Sequence, residues 1–377
     1  MKFTFIGDVM LGRMIGSKYA KNPYKIVDPD IAKIVKNSDF VMANLESPIP
    51  TVATTEGDHL QFSGNANALK EFNFIDCFST ANNHITDCGV DGIRETIKNL
   101  ESNGFIHNGV YTHDYEPIRL QLSDSSYISI VTFTDMLNIP FPDDSEWKVP
   151  RMGDEKILDT IRMCKNQGDK VILFAHVGML FTRFPNPVTY DYLHKCIDTG
   201  ADIIVTAHSH CLGGMEVYKG KPIFHSIGDF CMDGNSKRRR TACLLQLDID
   251  NDAVKWDIIP TKVTDNLEIT LLYGAEKDKC IQGYNSVSEL IRKHSDRYQQ
   301  FFKKQYRKEI INHSLSTLNF IYHERGLRGM IKIVAMRAAE TFRTIYWIFK
   351  DRSNDQRDDD AIKANRKKLS QQELFGK

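Results

Sequence analysis

Five short apolar runs in this sequence each end on side chains able to hold a metal ion or move a proton. That recurrence restricts the fold more than any other feature. KFTFIG runs into Asp8, DFVMANL into Glu46, and KVILFA into His176; FIDCFSTAN reaches Asn82, Asn83 and His84, and ADIIVTA reaches His208 and His210. Each run has the length and the β-branched or aromatic content of a buried strand. Between them, DPDIAKIVKN, GNANALKEF, VDGIRETIKNLESNG, GDEKILDTIRMCKNQG and VTYDYLHKCIDTG carry helical patterns with start and stop signals. YISIVTFT and PIFHSIGD read as further strands, and TACLLQLDID with AVKWDIIP as a hairpin. Strands alternating with helices predict an α/β protein whose helices cover a buried sheet.

In such sheets ligands bind at the C-terminal edge of the strands, so side chains as distant as residues 8 and 210 can converge there. Their chemistry is mixed: two carboxylates (Asp8, Glu46), one amide (Asn83) and three imidazoles (His176, His208, His210). An oxygen and nitrogen set of this kind suits Mn, Fe, Zn or Co and offers no soft thiolate cage. Glu46 has two oxygens and can bridge two ions, which at about 3.5–4 Å apart would clamp a phosphoryl group and activate a water. His208 and His210 alternate along an extended segment. Loop geometry after the strand would let both turn towards the ions.

The segments GDVMLGR, NLESP, STANNHITDCG, FAHVG, TAHSHCLGGMEVYKGKP and HSIGDF occur in the order found in bacterial capsule-synthesis proteins of the CapA type. Over residues 3–262 the chain resembles that family, a branch of the calcineurin-like metallophosphoesterases. The resemblance implies a sandwich of β-sheets flanked by helices, and two divalent ions. It places Asp8 and His210 on the first ion, Glu46 as the bridge, and Asn83, His176 and His208 on the second. It makes His84 the general acid and Asp87 the group that orients it.

The sequence also departs from the pattern. Met10 stands where the wider superfamily has a metal-binding histidine, and Asp229 where asparagine is usual. Thr206-Ala207 replaces a common Gly-His, and residues 177–181 replace a more aromatic and acidic stretch. Arg13 and Asn82 are candidate substrate contacts. So is Arg239 in the basic run 237–240, which otherwise reads as a solvated turn. His107, His113 and His225 have no matching partners and read as structural.

Lysine plus arginine equals aspartate plus glutamate at 49 each, so global charge names no partner and offers no footprint for nucleic acid. None of the eight cysteines forms a CxxC pair, and several lie in apolar runs, as reduced cysteines of a cytoplasmic protein do. No signal-peptide core or membrane-length apolar run appears. Composition divides the chain into a domain over 1–264, a helical extension over 265–350 and a polar tail over 351–377. Helical stretches are expected at 286–312 and 315–350. The second is basic and amphipathic, and docking on the domain or on a partner is favoured over peripheral contact with an anionic membrane.

The expected activity is hydrolysis of a phosphate ester in an anionic small molecule or surface polymer, with poly-γ-glutamate as the context the resemblance supplies. A non-catalytic scaffold in envelope assembly, or an amide hydrolase using the same ions, is the alternative.

Overall fold

The computed structural model describes residues 1–51, 62–123, 126–234, 240–250 and 253–308. In chain order the first strands are β1 (Lys2–Val9), β2 (Phe40–Leu45), β3 (Cys77–Ser79) and β4 (Ile106–Asn108). Helices α1 (Arg13–Lys21), α2 (Pro29–Val35) and α3 (Gly89–Ser102) separate them. Next come β5 (Ile118–Ser123), β6 (Ser126–Thr134), β7 (Lys170–His176), β8 (Ile203–Ala207), β9 (Met215–Tyr218) and β10 (Lys221–Phe224). Helices α4 (Glu155–Asn166) and α5 (Pro187–Thr199) flank β7. Strands β11 (Asp229–Cys231), β12 (Thr241–Ile249), β13 (Val254–Val263) and β14 (Ile269–Leu271) follow, then helix α6 (Gly274–Lys293).

Among the described residues these strands form two sheets. One runs β14-β13-β12-β1-β2-β3-β4 with β11 also on β1, and the other runs β5-β6-β7-β8-β10-β9. Strands β1 to β4 are parallel, as are β6, β7, β8 and β10. Alternating side chains give each central strand two buried faces. Phe3, Phe5, Phe40 and Met42 of the first sheet pack against Ile130, Ile172, Phe174 and Val205 of the second. On the outer faces, Ile6, Val41 and Ala43 lie under Ile15, Ile31 and Leu100 of the first three helices. Val131, Leu173 and Ile204 lie under Ile157, Ile161 and Leu193 of α4 and α5. The result is the helix–sheet–sheet–helix sandwich that the resemblance implies.

The helices follow ordinary rules. Asp28 caps α2 ahead of a proline, its side chain accepting from the Asp30 amide, and Asn186 does the same for α5 through Thr189. Helix α4 buries Ile157, Leu158, Ile161 and Cys164, one stripe at helical spacing.

One irregularity in β1 decides the site. Phe3 pairs with Phe40 and Phe5 with Met42 on the inner face, while Thr4 and Ile6 pair with Val41 and Ala43 on the outer face. The register then slips, so that Asp8 pairs with Asn44 instead of Leu45. A slip of one residue reverses the face on which a side chain emerges. Asp8 therefore points between the sheets. Gly7 makes the slip sterically feasible, since a Cβ there would stand 1.9 Å from the Gly228 carbonyl oxygen.

Several elements differ from the sequence expectations. GNANALKEF forms a 3-10 helix over Ala66–Phe72. PIFHSIGD is not one strand: positive φ at Ser226 (62°) and Gly228 (80°) breaks it into β10 of one sheet and β11 of the other. Strands continue past residue 265 as β14 pairs with β13. The expected helix 286–312 begins earlier, at Gly274, and is interrupted by a 3-10 turn over Ser295–Arg297 before helix resumes at 298–308.

This helical segment docks on the sandwich. Val287, Ile291, Tyr298, Phe301 and Phe302 pack on Phe184 and Tyr190. One compact unit, Met1–Thr317, holds all the described residues. The stretch 315–350 and the tail 351–377 lie outside them. The eight cysteines form no disulfide. No helix of the described residues is long and apolar enough to cross a membrane.

Candidate metal centre

Both sheets present their parallel strand ends at one edge, and the chemistry-bearing residues meet there in the interior. Asp8, Glu46, His176, His208 and Asp229 are all 2% exposed or less. Asp8 comes from the slipped end of β1 and Glu46 from the residue after β2. His176 ends β7 on the face already used by Ile172 and Phe174. Strand β8 stops at Ala207, and left-handed backbone at His208 (φ 99°) and His210 (φ 55°) turns both rings into the same site. Such conformations cost on the order of 1–3 kcal/mol each and persist where surrounding structure enforces them.

Asp8 Oδ1 accepts from the Asn44 amide at 2.7 Å, and Oδ2 from the His208 backbone amide at 3.1 Å. His176 lies between the carboxylates, Nδ1 at 3.4 Å from Asp8 Oδ1 and Nε2 at 3.4 Å from Glu46 Oε1. His176 Nε2 is also 2.8 Å from Asn83 Oδ1 and 2.9 Å from His208 Nδ1. His210 Nε2 stands 3.9 Å from Glu46 Oε1, while its Nδ1 meets Asp229 Oδ1 at 2.8 Å.

The electrostatics call for positive charge. Burial works against a charged His176, yet Asp8 and Glu46 push its pKa up to about 10. Burial likewise opposes ionisation of Asp8, but His176, His210 and the Asn44 hydrogen bond hold its carboxyl below the ordinary value. Burial and the neighbouring histidines hold His208 well below the usual imidazole range, leaving it neutral and fit to ligate.

Neither oxygen of Glu46 makes a hydrogen bond, its nearest ring nitrogens being His176 Nε2 at 3.4 Å and His210 Nε2 at 3.9 Å, and Asp229 Oδ2 makes none either. A buried carboxylate without donors is costly unless it is paired or coordinates a metal. Two groups of ligand atoms can each hold an ion: Glu46, His176 and His208, and Asp8, Glu46, His210 and Asp229. Glu46 belongs to both, as a bridging residue must. The donor set fits divalent metal.

Beside these groups, the loop after β3 carries Asn82, Asn83 and His84. Asn82 is fully buried, its amide donating to the Leu45 carbonyl at 2.7 Å and its oxygen accepting from the His84 backbone at 3.1 Å. It shapes the loop. His84 Nδ1 lies 2.6 Å from Asp87 Oδ2, and Phe62 stacks on the ring with centroids 3.9 Å apart. Arg13 sits on the rim with its guanidinium 5.6 Å from the Phe62 centroid and 3.3 Å from Asp233. Arg239 lies outside the described residues.

The structure adds three residues that the sequence did not single out for the site. Asn44, inside a strand, holds Asp8 and lies 3.0 Å from His176 Nδ1. Asn138 accepts from the Asn83 amide at 3.1 Å and reaches both ring nitrogens of His84 at 3.2 and 3.3 Å. Asp229 joins the Asp8 group. Of these, Asp229 alone carried a sequence signal, as a departure from the usual asparagine.

Fold and site together define the class: an α/β sandwich whose two sheets share one buried carboxylate–histidine centre at the ends of their parallel strands. The chain belongs to the family described as bacterial capsule synthesis protein PGA_cap, whose model matches residues 2–234. It is 28% identical over 294 residues to the PGA biosynthesis protein CapA of Bacillus subtilis (strain 168), a match covering 74% of this chain and 76% of that protein. It is 26% identical over 294 residues to the capsule biosynthesis protein CapA of Bacillus anthracis, covering 74% and 71%. A solved structure described as a putative 5'-nucleotidase from Staphylococcus aureus in complex with alpha-ketoglutarate overlays 76% of this chain and 58% of that one, at 14% identity and a TM-score of 0.44.

Proposed function

We propose that this protein is a metal-dependent hydrolase, a phosphoesterase, acting in capsule or poly-γ-glutamate metabolism. The observation that carries the reading is Glu46, whose two donorless oxygens lie where two buried ligand groups meet. Asp8, His210 and Glu46 would hold one divalent ion, and Glu46, Asn83, His176 and His208 a second. Bound there, the ions would polarise a phosphoryl oxygen and make a water acidic enough to attack near neutral pH.

The chain's own residues do the rest. His84, fixed at Nδ1 by Asp87, delivers a proton from Nε2 to the departing oxygen. Phe62 and Asn138 restrict its ring to one orientation. Arg13 on the rim is placed to meet an anionic group of the substrate, and its charge is tempered by Asp233.

The first experiment is elemental analysis of the purified protein beside a His208→Ala, His210→Ala double variant. One to two transition-metal ions per chain, lost in the variant, are expected. Loaded protein is then offered phosphomonoester, phosphodiester and γ-glutamyl substrates side by side. Metal-dependent turnover of a phosphate ester supports the proposal. Turnover of the γ-glutamyl substrate alone moves it to an amide hydrolase, and bound metal with no turnover to a scaffold.

A further inference from the structure

Strand β11 is short, yet it lies parallel to β1 with Asp229 opposite Asp8. Residues in register on neighbouring strands project from the same face. The two carboxylates therefore stand side by side, and Gly7 against Gly228 permits the close approach that puts them there. Like charges in such positions repel. Asp229 is 1% exposed, with Oδ1 on His210 and Oδ2 lacking any donor. Its ligating oxygen lies within 4.8 Å of ligand atoms of Asp8, Glu46 and His210.

Met10 cannot serve instead. Its sulfur accepts from the Gly12 amide at 3.1 Å, and its side chain packs with Phe62 and Met232.

We propose that Asp229 is a direct ligand of the ion held by Asp8, Glu46 and His210, and that it makes this half of the centre selective for a hard ion of the manganese type. The inference rests on reading the site as a two-ion centre and goes further by making its halves unequal. The Asp8 half offers three carboxylates and one imidazole, whereas the other offers Glu46, two imidazoles and the Asn83 amide. Carboxylate-rich sites suit manganese and magnesium, and imidazole-rich sites suit zinc. The alternative, that Asp229 only orients His210, would weaken binding of either ion to a similar degree and leave their ratio unchanged.

Competition reads that ratio. Full-length protein is loaded with Mn2+ and titrated with Zn2+, and released manganese is followed by its electron paramagnetic resonance signal. The wild type should release two ions in two phases whose midpoints differ at least tenfold. In Asp229→Asn, which keeps an acceptor for His210 but removes the charge, the later phase should move at least tenfold earlier while the first stays in place. Circular dichroism melting checks that the variant folds.

A single release phase in the wild type overturns the inference whatever the variant does. Unchanged phases in a folded Asp229→Asn also overturn it and leave the two-ion reading standing. A wild type that binds zinc but no manganese overturns the inference alone, and one that binds neither removes the two-ion reading as well.

Discussion

His84 and Asp87 face each other across a single turn, Nδ1 to Oδ2 at 2.6 Å, and that same oxygen accepts the backbone amide of Phe62 at 2.6 Å. One carboxylate thus positions the imidazole and also the aromatic ring stacked on it. His84→Ala should lower turnover about 100–10,000-fold. Asp87→Asn should lower it about 10–100-fold, in line with the loss of an orienting partner. Metal content should stay at the wild-type level in both. Loss of metal in His84→Ala would move the residue from proton transfer to ligation.

Asn138 is expected to act through Asn83. Its oxygen accepts from the Asn83 amide, and its backbone amide donates to the Asn83 carbonyl at 2.9 Å. Asn138→Ala should weaken the more weakly held ion about tenfold or more in a calorimetric titration, since outer partners of ligands carry effects of that size. Affinity for both ions equal to wild type would show that Asn83 needs no such support.

Gly7→Ala should be among the most damaging small substitutions in the chain. The added Cβ meets the backbone carbonyl of Gly228, just ahead of β11, which has no rotamer to yield. We expect a loss of about 3 kcal/mol or more, at the upper end of overpacking effects. Gly104→Ala, with open space around it and φ at 83°, should cost only the backbone strain, about 1 kcal/mol. Denaturant melts of the two variants make the comparison; equal losses would mean that the strand contact is more pliable than its geometry indicates.

Glu216 gives the fold an acid limit away from the metal centre. It accepts from His194 at 3.0 Å, His225 at 2.9 Å and the Tyr190 hydroxyl at 3.1 Å, and Tyr190 in turn stacks on Tyr298 of the docked helix. Burial alone would raise its pKa, but the two histidines outweigh burial and bring it from 4.5 to about 2. The unfolded chain therefore takes up this proton first as acid is added. Stability from the cluster, on the order of 3 kcal/mol, is present above about pH 4.5 and disappears as pH falls toward 2. Glu216→Gln should melt earlier at neutral pH, with a gap to wild type that closes through that window. A gap constant with pH would assign the loss to packing.

Much of this could be read from the sequence because the strands are punctuated by their functional residues. Asp8, Glu46, Asn83, His176 and His208 mark where apolar runs stop, and order along the chain sufficed to group them. What escaped depends on relations between distant segments. At the slip that turns Asp8 inward, the Asp8 backbone amide donates to the carbonyl of Gly228, more than 200 residues later, at 3.2 Å. Asp229 stood out only as a departure from the usual asparagine, and its place beside Asp8 escaped because HSIGDF continues the apolar run of PIF without a break; the left-handed turns at Ser226 and Gly228 move the chain to the other sheet. Helix α1 also gave little notice, since Gly12 precedes it and no side chain caps it.

The slip in β1 also bears on the order of events while the protein is being made. Asp8 is made long before the strand that completes its surroundings, which begins at residue 229. The imidazoles of His176, His208 and His210 precede that segment, but until it arrives Asp8 lacks the neighbour that β11 sets beside it. The nascent chain thus carries an unfinished site until β11 has been made. The ligand group around Glu46, His176 and His208 can assemble earlier, whereas the group around Asp8 is complete only once β11 has paired with β1.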